Sequence, residues 1–148
     1  MEKIVVGVDG SEGAEAALEF AAHEAALRAA GLRIVSAWEI PAGAYGGGFA
    51  PPLDAETLDA FRIRAEQVAD EAHATIKKLQ PSLEAETFTV QGQPAEVLLD
   101  QAADATMIVV GNRGLGGFKR LLLGSVSQQV VHHAACPVVV VHHSSTTT

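Results

Sequence analysis

Residues 106–136 read TMIVVGNRGLGGFKRLLLGSVSQQVVHHAAC, and three physical regimes follow one another inside them. Thr106–Val110 is an apolar, largely β-branched run without alternation, the pattern of a strand buried on both faces of a parallel sheet. Gly111 opens a glycine-rich loop. Gly124–Ser125 then opens a helix that must end before Pro137. Strand, loop and helix in that order make half of a βαβ unit, and the rest of the chain repeats the alternation.

Lys3–Val8, Arg33–Ala37 and Pro137–Val141 are further near-continuous apolar runs. Glu84–Val90 mixes Glu84, Glu86 and threonines with apolar residues, as an edge strand does. Between them lie helical patterns. The first opens at Ser11 as N-cap, runs through Ala14, Leu18, Ala21 and Ala25, and stops at Gly31. The second sets Leu58, Phe61, Ala65, Val68, Ala72, Ile76 and Leu79 on one face. Asp54, Glu56 and Asp59 lie at its start and Lys77 and Lys78 at its end, as the helix dipole favours. The third starts with Pro94 in the first helical position and carries Val97, Leu98 and Ala102. Pro41–Pro52, with Gly46–Gly48, reads as a loose connection. The order β-α-β-α-β-α-β-α-β predicts an α/β fold, a five-stranded parallel sheet with helices on both faces. One domain over residues 1–142 and a polar tail over 143–148 are expected.

The chain has 148 residues, 48% of them hydrophobic, enough to bury a sizeable core. Its formal net charge of −8 argues against a nucleic-acid partner, which would call for clustered Lys and Arg. One cysteine rules out an intrachain disulfide and a cysteine-based zinc site. The start MEKIVVGVDG is too short in apolar length for a signal peptide, and no apolar run reaches the length of a membrane span. The expectation is a cytoplasmic protein without a membrane partner. The charge is unevenly placed. All 18 carboxylates lie in residues 1–104, whereas residues 105–148 hold none and carry Arg113, Lys119 and Arg120. An anion would be welcome there.

In open parallel sheets ligands bind beyond the carboxyl ends of the strands, where strand order reverses. That points to Gly7–Ser11, Ala37–Ile40 and Gly111–Ser127. Two phosphate motifs fail in the last of these. A Walker A loop needs Gly-Lys-Ser/Thr at its end, and a dinucleotide fingerprint needs a third glycine where Lys119 stands. What remains is Gly111-x2-Gly114-x9-Gly124-Ser125. Glycines let backbone N–H groups approach a phosphate, and the helix start offers free N–H groups with the hydroxyls of Ser125 and Ser127. The alternative is a glycine-rich turn of purely structural purpose.

Asp9 follows the first strand, where it is expected to accept from a ribose hydroxyl or adenine amino group; the competing reading is that it caps the turn through Gly10 and Ser11. A receiver-type acidic site fails, because Val8 precedes Asp9, Gly92 follows the third strand and His142 follows the fifth. His132–His133 and His142–His143 lack the i,i+4 spacing with an acid that zinc requires. Cys136 reads as a small packed residue. The loop region offers no local base for phosphoryl transfer, so binding rather than turnover is expected. Val138–Val141 is an apolar edge strand without charge, suited to pairing with a second copy.

IVVGVDGS at the start, QGQPAEVLLDQA in the middle and VVGNRGLGGFKRLLLGSVSQQVVHHAACPVVVV at the end resemble the universal stress protein family, over essentially the whole chain. The glycine spacing matches that family's ATP-binding signature, G-x2-G-x9-G-[ST]. The resemblance implies a cytoplasmic, ATP-binding regulatory protein, with Mg²⁺ or Mn²⁺ accompanying the nucleotide. Gly7 and Asp9 would lie beside the adenosine and Ala37 would line the adenine pocket. Gly111, Gly114, Gly124, Ser125 and Val126 would hold the triphosphate or ribose, with Ser127, Val110 and Arg113 completing the set. Asn112 stands where the family frequently has Ser. The resemblance further implies a homodimer through Val138, Val139, Val140 and Val141, and a regulatory protein partner. A slow ATPase or nucleotidyl-transferring enzyme, and an interaction module with a vestigial nucleotide site, are the competing expectations.

Overall fold

The computed structural model describes residues 1–40, 52–112 and 123–143. Five strands and four helices alternate: β1 (Lys3–Gly7), α1 (Glu12–Arg28), β2 (Gly31–Trp38), α2 (Ala55–Leu79), β3 (Ala85–Gln91), α3 (Pro94–Gln101), β4 (Met107–Gly111), α4 (Ser125–His133) and β5 (Val138–Val141). All strand pairs are parallel, in the order β3-β2-β1-β4-β5. The architecture is the α/β sheet with helices on both faces that the alternation predicts.

Successive side chains along the strands point to opposite faces, and the core divides accordingly. Ile4, Val6, Leu32, Ile34, Met107 and Val109 pack under α1 and α2 through Leu18, Ala21, Ala25, Val68, Ala72 and Ile76. Val5, Val35, Ile108 and Val110 pack under α3 and α4 through Val97, Leu98 and Val130. The central strands are therefore apolar on both sides, which is why their sequences run without alternation.

Local chemistry sets the helix starts. Ser11 caps α1, its Oγ accepting the Ala14 N–H at 3.1 Å, and Asp54 caps α2 by accepting the Thr57 N–H at 2.7 Å. Pro94 occupies the start of α3. The end of α1 departs from expectation: it closes at Arg28, and Gly31 belongs to β2. Ala29 takes the left-handed turn at φ 53°, and Ala30 N–H reaches the Ala25 carbonyl at 2.9 Å. Hydrogen bonding to the last carbonyls stops the helix three residues before the glycine. The α2 stripe is buried only from Ala65 to Ile76, with Phe61 and Leu79 exposed. At 25 residues and about 1.5 Å each, this helix outruns the sheet it covers.

β3 and β5 form the two edges. β3 carries Glu86, whose carboxylate pairs with Lys3 at 3.8 Å. β5 is four half-buried valines. Most of the connection over Pro41–Pro52 lies outside the described residues, as does most of the polar tail.

Candidate functional site

Strand order reverses between β1 and β4, the two neighbours at the centre of the sheet. β1 connects onward to β2 on one side, and β4 to β5 on the other. The crevice beyond their carboxyl ends is the ligand position of such sheets. Gly7, Asp9, Ala37, Val110, Gly111 and the start of α4 all fall along it. Arg113 and Gly114, with Lys119 and Arg120, lie outside the described residues.

The start of α4 is the chemically open part. Gly124 is the N-cap at φ −76°, ψ 172°, and having no side chain it makes no side-chain cap bond. The first N–H groups of a helix have no intrahelical acceptor. α1, α2 and α3 answer their dipoles with Glu12 and Glu15, Glu56, and Glu96 in the first turn, whereas α4 has no acid there. Ser125 is exposed and Val126 packs against the α3–α4 core. Ser127 is buried, and its hydroxyl turns inward to the carbonyls of Gly124 at 3.0 Å and Asn112 at 3.2 Å. An uncapped helix start without carboxylates is a place for an anion.

The strand-end residues have packing roles of their own. Gly111 ends β4 rather than opening the loop, and a Cβ there would stand 2.7 Å from the Gly13 carbonyl oxygen. Only glycine lets β4 pass so close to the first turn of α1. At Gly7 a Cβ would meet the Leu98 side chain at 2.9 Å. Val110 is buried in the core, so its side chain is closed to a ligand. Ala37 is half-buried one residue before the end of β2, paired in register with Val90. Asp9 is exposed and accepts from both the amide and the hydroxyl of Ser11 at Oδ1, the turn-capping geometry. Gly10 beside it has φ +86°, and the Arg64 guanidinium of α2 lies over the face where a Cβ would be.

The residue that sequence reading undervalued is Asn112. It is buried, and its main-chain N–H donates to the Val141 carbonyl at 2.9 Å. Its carbonyl accepts from the Gly124 N–H and the Ser127 hydroxyl, and its side-chain Oδ1 accepts the His143 N–H at 3.1 Å. The His143 ring in turn meets the Glu12 carboxylate at 3.1 Å. One buried polar residue thus joins β4, the start of α4 and the chain leaving β5. The available signal was an amide side chain placed directly after a buried strand. Gln93 at the head of α3 similarly donates to Gln129 of α4 at 3.0 Å.

Among the described residues no three of His, Cys, Asp and Glu converge to hold a metal ion. Cys136 is half-buried against the α3–α4 core, and burial raises its thiol pKa. A shallow groove of about 150 Å³ runs between α1 and α2, lined by Val8, Ser11, Leu18, Val68 and Thr75. It lies on the opposite face of the sheet from α4. No helix among the described residues is long and apolar enough to cross a membrane.

This geometry has relatives. A universal stress protein of Thermus aquaticus is 40% identical over 130 residues, covering 86% of this chain and 89% of its own length. A universal stress protein of Mycobacterium tuberculosis is 34% identical over 128 residues, and the match covers 86% of this chain. The match spans only 40% of that longer protein. Among solved structures, the universal stress protein UspA from Lactobacillus plantarum superposes with a TM-score of 0.79 at 27% identity, covering 95% of this chain and 97% of its own. A universal stress protein in complex with cAMP gives 0.69 at 29% identity over 97% and 98% of the two chains. The Archaeoglobus fulgidus protein in complex with dAMP gives 0.67 at 30% identity over 95% and 97%. The family described as the universal stress protein family matches residues 1–142, and the chain belongs to it.

Proposed function

We propose that this protein binds an adenine nucleotide across the ends of β1, β2 and β4, with the phosphates at the start of α4, and acts as a nucleotide-dependent regulatory protein. The observation that carries the reading is the first turn of α4: a glycine N-cap, no side-chain cap and no carboxylate, at the point where strand order reverses. The complexes of related proteins with cAMP and dAMP support the adenine base. In this reading Ser125 and the backbone N–H groups from Ser125 to Ser127 meet phosphate, the Gly124 N–H being taken by the Asn112 carbonyl. Ala37, Gly7 and Asp9 stand at the nucleoside end.

ATP is the proposed working ligand, since the spacing Gly111-x2-Gly114-x9-Gly124-Ser125 matches the ATP-binding signature of the family. Mg²⁺ or Mn²⁺ would travel with it. The described residues form no metal cage of their own, so phosphate oxygens and water are its expected ligands. The proposed role is binding rather than turnover, since the first turn of α4 holds no acidic residue to serve as a base. We place the protein in the cytoplasm as a homodimer joined through β5, with a regulatory protein partner. The uncharged valine edge supports the pairing.

The chain's single tryptophan, Trp38, ends β2 beside this site. ATP, AMP and cAMP titrated against Trp38 fluorescence and by calorimetry should saturate, ATP most tightly. Absence of saturable binding by any of the three would overturn the reading.

A further inference from the structure

The start of α4 is held in place by Asn112, and Asn112 is held by the chain leaving β5. Its carbonyl takes the Gly124 N–H and the Ser127 hydroxyl, which fixes the first turn of α4 against the end of β4. Its side-chain Oδ1 takes the main-chain N–H of His143, two residues beyond β5, at 3.1 Å. The residue is only 6% exposed, so none of these bonds is readily replaced by water. β5 itself is paired to this end of β4, Gly111 lying opposite Val141.

We propose that Asn112 is a positioning residue for the nucleotide site, and that its side-chain bond to His143 couples the segment leaving β5 to phosphate binding at α4. The inference rests on the nucleotide reading above and adds a specific mechanical link to it. When phosphate draws the N–H groups at the start of α4 into fixed directions, the Asn112 carbonyl is fixed with them, and the side chain with the carbonyl. The His143 amide then becomes harder to open. Linkage makes the effect reciprocal: releasing His143 lowers nucleotide affinity by the factor with which nucleotide tightens His143.

The test uses four variants of the full chain, each first checked for a cooperative thermal transition. Asn112→Ala removes the acceptor; Asn112→Ser is a milder form, its side chain too short to span to His143. His143→Pro removes the N–H donor, and His143→Ala removes the ring and its Glu12 contact while keeping that N–H. ATP affinity should fall about fivefold in Asn112→Ala, Asn112→Ser and His143→Pro, the scale of one hydrogen bond. It should be unchanged in His143→Ala. The Asn112→Ala, His143→Pro double variant should be no weaker than the worse single. In the wild type, ATP should slow hydrogen exchange at the His143 amide by about the same factor, and Asn112→Ala should abolish that slowing. Wild-type binding with unaffected variants, with ATP-independent exchange at His143, or with an equal loss in His143→Ala overturns the coupling and leaves the nucleotide reading standing. No ATP binding by the wild type removes both.

Discussion

Gly111 of β4 and Gly13 of α1 are packed so closely that a Cβ on the first would lie 2.7 Å from the carbonyl oxygen of the second and 2.8 Å from its carbonyl carbon. The obstacle is backbone, which cannot rotate away as a side chain can. Gly111→Ala is therefore expected to cost about 2–3 kcal/mol of folding stability, the upper range of overpacking. Urea unfolding without nucleotide should show the full loss. A variant that unfolds like the wild type would mean that β4 and α1 separate easily.

Ala29 carries the opposite opportunity. It sits in the left-handed region at φ 53°, a conformation that costs a residue with a Cβ about 1–2 kcal/mol. Ala29→Gly relieves that strain but orders a freer backbone. The net expectation is a gain of about 0.5–1 kcal/mol, read as a higher urea midpoint at unchanged slope.

At the start of α4 one substitution should move stability and binding in opposite directions. Ser125→Asp places a carboxylate at a helix start that has none. Stability should rise by about 0.3–1 kcal/mol through the dipole. ATP affinity should drop at least about tenfold, because the same charge faces phosphate at short range. Calorimetry and thermal unfolding of the same preparation give both numbers.

Acid stability should depend on the lower end of β2. Arg33 donates to Asp104 at 2.8 Å and to the Gln101 carbonyl at 2.6 Å, and its guanidinium lies 5.8 Å from the Phe88 ring centroid. The hydrogen bond, and then the charge, of Arg33 hold the Asp104 carboxyl below its ordinary value. A carboxyl depressed in the folded state stabilises the fold above its unfolded pKa, near 3.8, and stops doing so as pH falls through the folded value. Asp104→Asn should thus be less stable than wild type near neutrality. The two stability curves should converge once pH has fallen below the lowered folded-state value of Asp104, in urea melts taken across the acid range.

For the proposed dimer, Val139→Lys puts a charge in the middle of β5. Sedimentation should show monomers that retain the far-ultraviolet signature of the fold. A dimer that survives the lysine would exclude this strand from the interface.

The parts of the fold that were legible in sequence are those decided by local chemistry. Ser11 before an apolar stripe and Pro94 at a helix start carry their meaning in their own side chains. The unbroken apolar runs announced strands covered on both faces. Gly31 misled, since a glycine after a helical stretch reads as its terminus. The structure instead lets Ala29 make the turn and spends Gly31 in β2, beside the Lys3 side chain. The candidate site was legible as a location and much less as a set of roles. The glycine spacing led to Gly124 and Ser125, but Gly111 and Gly7 answer to Gly13 and Leu98, contacts between segments far apart in sequence. Asn112 was the hardest case. Its importance lies in hydrogen bonds to residues 12, 15, 29 and 31 positions away, which no spacing rule encodes.

The unequal edges of the sheet limit how far self-association can go. Two copies joined through their valine edges would leave a β3 strand outermost at each end, with the Glu86 carboxylate standing there and reaching back to Lys3 of β1. A further copy would have to pair against those charges, or offer its own valine edge to a strand already guarded. In the proposed dimer, joining the valine edges would consume the uncharged edge strands among the described residues, and growth would end at a closed pair. A sheet with two bare edges would have no such stop and could extend into a fibre.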